Sequence, residues 1–206
     1  MGNRAIIKPI NENIGVYLHW NGGINSVTAF LEYCKLKDYR YFGGERADGY
    51  GIARFCQVVG NFFGGGLSLG IMTGVEATEE CAAELDNGIY VIDGWDIVEN
   101  IGGYNDDHYN IQEMLIDIDK AQPEAEQLGE AYIRAEEVDA LELTIGDKVA
   151  VLNYEGHVEI HTVVDLKHER GQMLANPVID MYPNHEDINP NNILRGKVRR
   201  VRDDRN

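Results

Sequence analysis

The chain has 206 residues, a formal net charge of −17 and 44% hydrophobic residues. That is enough apolar material for a real core in one large domain or two small ones, and it excludes wholesale disorder. So acidic a balance argues against general binding to DNA, RNA or anionic membranes, which reward clustered Lys and Arg, and favours basic partners.

In chain order, Arg4–Ile10 and Ile14–Trp20 read as two strands joined by an Asn11-Glu12-Asn13 turn. Asn21-Gly22-Gly23 breaks the second strand, and Asn25 or Ser26 then caps a helix to about Lys37, with Val27, Phe30, Leu31 and Cys34 on one face. Asp38–Gly49 reads as a polar loop holding Tyr39, Tyr41 and Phe42. Tyr50–Phe63 predicts a second helix, apolar over most of its circumference and therefore buried. Gly64-Gly65-Gly66 ends it, and Leu67–Met72 follows as a strand.

The next segment is the unusual one. Between Glu76 and Glu130 stand sixteen carboxylates and a single base, Lys120. A solvated surface normally mixes both signs, because a one-sign surface repels itself. Within it, Glu76–Glu84 reads as a loop or short helix. Gly88–Ile92 and Trp95–Ile101 flank Asp93-Gly94, a two-residue hairpin signal. After a loop at Gly102–Tyr109, Asn110 caps a helix with Ile111, Met114, Leu115 and Ile118 at helical spacing, which Pro123 ends. Because apolar anchors alternate with the carboxylates, the segment is expected to be folded.

From about Arg134 the pattern becomes one of short strands: Leu141–Ile145, Lys148–Asn153, His157–Asp165, Gln172–Met181 and Ile193–Val201, with turns at Gly146-Asp147 and Glu155-Gly156. The charge also evens out, so a boundary is expected near residues 122–136. The fold class expected is α+β: an N-terminal domain, 1–130, with a mixed sheet and two to three helices, then a small antiparallel, barrel-like β-domain, 136–206.

Four patterns invite a chemical reading. The acidic residues Glu79, Glu80, Glu84, Asp86, Asp93, Asp96, Glu99, Asp106 and Asp107 could imitate the phosphates of a nucleic acid and pair with the Arg and Lys of a DNA-handling protein. Tyr104, Tyr109 and Trp95 would be their anchors. The plainer reading is a solubilising face. Cation binding has Asp117 and Asp119 as its best fragment, but Gln122 and Leu128 stand where a calcium loop needs Gly and Glu. Second, the turn Asn21, Gly22, Gly23, Ile24, Asn25, Ser26 resembles the SGGxDS loop of ATP-pyrophosphatases and could offer N–H groups to an anion, with Tyr39–Phe42 beside it; it departs at Asn21 and Asn25. The plainer reading is a strand-to-helix connection. Third, His157, Glu159 and His161 share one face of a strand and could hold zinc or iron, against a polar outer face with Val158, Ile160, Thr162 and Val164 buried behind it. Fourth, Arg195, Lys197, Arg199, Arg200, Arg202 and Arg205 form the one basic cluster, read as a charged edge strand or as partners of acidic residues rather than a nucleic-acid site.

Cys34, Cys56 and Cys81 include no CxxC pair, so they read as reduced core thiols of a cytoplasmic protein. No apolar run approaches the roughly twenty residues of a membrane span. No P-loop or GxGxxG motif occurs, and no catalytic residue and no cofactor is expected.

The block Gly15–Gly23, GVYLHWNGG, with the helix after it and Cys56–Ile71, CQVVGNFFGGGLSLGI, resembles a family of uncharacterised proteins from Gram-positive bacteria, their phages and mobile elements. The resemblance implies no activity, only context: host takeover or evasion of host defence in a bacterial cell. Size and acidity are similar to those of acidic anti-CRISPR and anti-restriction proteins, by analogy alone. The expected function is therefore a non-enzymatic inhibitor that binds a basic nucleic-acid-handling protein such as a nuclease. A nucleotide binder and a metal-dependent hydrolase stay open, as does a homodimer.

Overall fold

The structure, a computed structural model, describes residues 2–41, 49–65, 68–103, 108–168, 175–180 and 193–201. It is an α+β fold in two units, Met1–Gln127 and Leu128–Asn206.

The first unit runs β1 (Ala5–Pro9), β2 (Ile14–Leu18), α1 (Ile24–Leu36), α2 (Gly49–Phe62), β3 (Leu69–Thr73), α3 (Glu79–Ala82), β4 (Ile89–Asp93), β5 (Asp96–Ile101) and α4 (Ile111–Lys120). The sheet order is β3-β2-β1-β4-β5. β1 is antiparallel to β2 and parallel to β4, so the sheet is mixed. AIIKP is buried at every position, as the central strand of a sheet covered on both sides must be. Strand alternation divides the covering. Ile6 and Ile89 pack with Val75 and Ala82, flanked by Tyr17, Leu85 and Ile101, on the side covered by α3. The alternate residues Ile7, Tyr90 and Ile92, all fully buried, face the other way, where α1 packs on α2 and α4. Phe30 of α1 is fully buried and meets the rings of Phe62 and Phe63 edge-on at 5.3 and 6.2 Å.

Several expectations change here. α1 begins at Ile24 with Gly23 as its cap residue and no side-chain cap bond, so Asn25 and the buried Ser26 lie inside the helix rather than capping it. α2 is not apolar all round: Phe55, Val58 and Val59 are buried with Gly51, while Ala53 and Arg54 are exposed. The hairpin turn falls one residue later than Asp93-Gly94, on Gly94-Trp95, since Asp93 pairs with Asp96. Gly94 has φ +62°, a conformation that favours glycine. The shift lets Trp95 enter the core, where it stacks on Phe55 at 6.4 Å. Asn110 does cap α4, its Oδ1 accepting from the Glu113 amide at 3.1 Å.

The second unit contains α5 (Glu130–Ile133), β6 (Glu136–Asp139), a 3-10 turn (Ala140–Glu142), β7 (Lys148–Leu152), β8 (Val158–His168), β9 (Ala175–Ile179) and β10 (Lys197–Val201). The order is β6-β10-β7-β8-β9, antiparallel throughout. Among the described residues this sheet is open, not a closed barrel. Val138, Leu143, Val149, Val163 and Ile179 form its core. The strand expected at Leu141–Ile145 is the 3-10 turn and its exit; the strand is Glu136–Asp139 instead. Its EEVD sequence is a poor strand former. It pairs with β10 so that Glu136 meets Arg200, Glu137 meets Arg199 and Asp139 meets Lys197, and opposite charges across a ladder are favourable. β10 is consequently interior to the sheet rather than a charged edge, and its bases meet acidic residues of the same unit, the other of the two expectations.

On β8 the buried face is also the reverse of the expected one. Val163 is fully buried and His161 mostly so, while Ile160 and Val164 are 47% and 50% exposed. A bulge between Val163 and Asp165 interrupts the alternation. Among the described residues no helix is long and apolar enough to cross a membrane.

Candidate functional site

The acidic segment does not form one surface. Glu113 and Asp117 lie on α4, on the helical side of the first sheet, and Asp119 is buried there, accepting from the Tyr33 hydroxyl at 2.7 Å. Burial and that bond push the Tyr33 hydroxyl pKa far above its ordinary value. Of the nine carboxylates singled out, two are spent on their own unit. Asp86 accepts from the Arg4 guanidinium at 2.9 and 3.3 Å and from its amide at 2.9 Å. These bonds, the side-chain one foremost, hold the Asp86 pKa at about 2. Asp96 pairs with Lys35 of α1 at 3.0 Å. Asp106 and Asp107, like Tyr104, lie outside the described residues.

Of the remaining five, Glu79, Glu80, Glu84 and Glu99 lie on the α3 side, while Asp93 stands at the turn end of the β4–β5 hairpin opposite Asp96. Thr78 caps α3, its hydroxyl accepting from the Cys81 amide at 3.3 Å, which fixes Glu79 and Glu80 in the first turn. Glu84 follows in the turn after the helix. Glu99 pairs with Val91 across the β4–β5 ladder, and Val91 alternates with Ile89, which packs under Ala82. Glu79, Glu80, Glu84, Asp93 and Glu99 are all exposed, and none makes an ion pair among the described residues. Cations on this side include Arg4, whose charged form Asp86 foremost and Glu84 in small part stabilise, and Lys8, which sits on this side of β1 and donates to the Pro9 carbonyl at 3.1 Å. Of the expected anchors, Trp95 is 4% exposed and its Nε1 donates to the Tyr39 carbonyl, so it is a core residue. Tyr109 is exposed.

The Asn21–Ser26 turn is built as a connection. Gly22 and Gly23 are buried, and the Gly22 amide donates to the Asn3 carbonyl at 2.8 Å. A Cβ at Gly22 would also crowd Ala5, at 2.8 Å. Asn21 has φ +54° and reaches the Ser26 hydroxyl at 3.5 Å, while Asn25 donates to the Tyr109 carbonyl at 3.0 Å.

In the second unit His161 lies between two carboxylates, Glu159 on Nε2 and Asp180 on Nδ1, each at 3.2 Å. Asn153 donates to Glu159 at 2.7 Å and is the first cause of its lowered pKa. His157 instead approaches Glu155, at 3.7 Å. Among the described residues no group of three or more His, Cys, Asp or Glu is placed to hold a metal ion. Of the basic cluster, Arg202 and Arg205 lie outside the described residues, and Arg199 and Arg200 are engaged within their own unit. Arg199 stacks on the Tyr132 ring at 4.9 Å and donates to the carbonyls of Tyr132, Ile133 and Ala135 at 3.0, 3.3 and 3.0 Å, and Arg200 pairs with Glu136 at 2.9 Å. Of the cysteines only Cys34 is a fully buried core thiol; Cys56 is half-buried and Cys81 exposed on α3. Burial pushes the Cys56 thiol up to about 11 and Cys34 higher still, which leaves both unreactive.

One concavity was not foreseen from the sequence. A cavity of about 450 Å³ is lined by Asp38, Tyr39, Arg40, Tyr50 and Arg54. Tyr39 belongs to the aromatic loop noted above, whose Phe42 lies outside the described residues. Tyr50 and Arg54, four apart on α2, were the missed signal.

Comparisons of the chain with protein-family models, with curated proteins and with solved structures give no match.

Proposed function

We propose that the protein is a non-enzymatic acidic binding protein of a phage or mobile element, which captures a basic nucleic-acid-handling defence protein through the α3 side of its first unit. The observation that carries this reading is the set Glu79, Glu80, Glu84 and Glu99: exposed, on the α3 side of the sheet, and without an ion pair among the described residues. Charges left uncommitted on a folded surface suit a partner rich in Arg, whose guanidinium takes carboxylates in bidentate fashion. The resemblance of the Gly15–Gly23 block to proteins of phages and mobile elements supports the context.

Exposed pairs contribute only about 0–1 kcal/mol each, so the binding needs many of them and is screened by salt over about 8–10 Å. A pull-down with the tagged chain from a bacterial lysate, washed at low and high salt, tests the reading. The expected result is a stoichiometric nuclease or other DNA-binding protein that elutes with salt. A variant with all four carboxylates changed to Lys should lose it, and retention by that variant would remove the acidic side from the mechanism. Failure to retain any nucleic-acid-handling protein at low salt would reject the reading altogether.

A further inference from the structure

The two edges of the first sheet are built differently. β5 forms one of them, and it is defended: Asp96 and Glu99 are exposed along it, and a bulge at Val91/Ile92 breaks its ladder with β4. Exposed charge and bulges are the ordinary means of keeping an edge from pairing with another chain. β3, the other edge, has neither. Its sequence is LGIMT, its ladder with β2 runs without a shift from Leu69 to Thr73, and Ile71 and Met72 are 51% and 42% exposed. From Phe55 to Val75 the chain holds no charged residue, in a protein of net charge −17.

The β3 edge presents a defined set of backbone groups. The His19 amide donates to the Ser68 carbonyl at 2.9 Å. Antiparallel alternation then turns the N–H and C=O of Gly70 and Met72 towards β2, and those of Leu69, Ile71 and Thr73 outward. Among the described residues no strand lies outside them. Side chains alternate in the same register. Ile71 opposes the buried Val16 and lies on the helical side, while Gly70 opposes Tyr17 and lies with Met72 on the α3 side. Gly70 is not required by its own unit. Its φ is not positive, and among the described residues a Cβ there would meet only Tyr17, at an ordinary 3.8 Å. Glycine inside a strand costs stability, and one that its own fold does not need marks a place where another group approaches closely.

We propose that β3 pairs antiparallel with β3 of a second copy of this chain, about a twofold axis at Ile71, joining two first-unit sheets into one. In that register Ile71 meets its own counterpart, and Leu69 falls opposite Thr73. Met72 of each copy falls opposite Gly70 of the other and fills the space beside the Tyr17 ring, a favourable sulfur–aromatic contact. The occupant is a second copy because the strand is complementary to itself in this way. The neutral edge is also where two chains of net charge −17 approach with least repulsion, whereas a basic protein is drawn to the carboxylates. Five residues a side is small against the roughly 20–30 of a standard interface, so the association is weak and reversible.

Sedimentation equilibrium of the whole chain over rising concentration is the test. A monomer–dimer equilibrium should appear, tighter at high salt than at low salt, because screening removes the repulsion between acidic copies. That is the reverse of the salt dependence expected for capture of a basic protein. Ile71→Lys, an exposed change at the axis, should weaken the dimer about tenfold or more, since it sets like charges opposite each other and removes apolar contact. Gly70→Val should weaken it similarly by filling the space Met72 needs, with the monomer's thermal unfolding unchanged or raised, which a glycine serving only its own strand would not give. Val98→Lys, on the β5 edge, should leave the dimer as it was. A chain that stays monomeric to about 1 mM at high salt overturns the proposal. A dimer that survives both Ile71→Lys and Gly70→Val, or is lost with Val98→Lys alone, overturns it equally.

Discussion

One strand from each sheet shows opposite burial. β1, central in the first unit, is buried at all five residues, whereas β8, the longest strand of the second at eleven, has one buried residue, Val163. The first sheet is covered by helices on one side and by α3 on the other, and apolar packing carries it. The second has a one-sided core, and charge supplements it: the ladder between β6 and β10 sets Glu136, Glu137 and Asp139 against Arg200, Arg199 and Lys197. Arginine therefore has two uses here. Arg199 is spent on three backbone carbonyls of its own unit, while Arg40 and Arg54 lie over tyrosine rings beside a cavity.

The largest expected effect tests the packing half of this contrast. Phe30→Ala should cost about 3–5 kcal/mol in urea unfolding, because it opens a void beneath Phe62 and Phe63; a loss near that of a surface substitution would mean the helical side is not the core of the first unit. Arg199→Met should cost about 2–3 kcal/mol, since three carbonyls lose a charged donor. Arg200→Met, which breaks only the partly exposed pair with Glu136, should cost about 0–1 kcal/mol. If the two arginines prove equal, the carbonyl cluster is not what distinguishes them. Asn110→Ala should remove about 1 kcal/mol through the lost cap of α4, seen as faster amide exchange in its first turn.

The smallest effect is one of pH. The Asp86 pKa is lowered from 3.8 to about 2, so its contribution to stability is complete above the unfolded value and is lost as pH falls from near 3.8 towards 2. The carboxylate is 38% exposed, so solvent screening keeps the change small. Asp86→Asn should flatten this part of the acid-unfolding profile; an unchanged profile would show that Arg4 does not hold the carboxylate in solution.

Apolar period was the most legible signal. The spacing of Val27, Phe30, Leu31 and Cys34, and of Met114, Leu115 and Ile118, marks helices that the structure contains, and Asn110 marks where the second begins. β6 was hidden because its residues are acidic and its stability comes from bases some sixty positions away. The outer and inner faces of β8 were exchanged because the bulge at Val163/Asp165 and the burial of His161 are tertiary facts with no local signature. The acidic segment was legible as a composition, but not as a surface. Asp119 is buried, Asp86 and Asp96 are paired, and only part of the remainder shares a side.

The chain by itself thus determined the α+β class, most helices and strands, and the excess of negative charge, since these depend on neighbours within a few residues. Only the tertiary structure decided which strands lie inside each sheet, which carboxylates stay uncommitted, and that Tyr39, Arg40, Tyr50 and Arg54 surround one cavity. Those outcomes depend on contacts between residues far apart in sequence, and pairing across such distances leaves no periodic trace in the segments it joins.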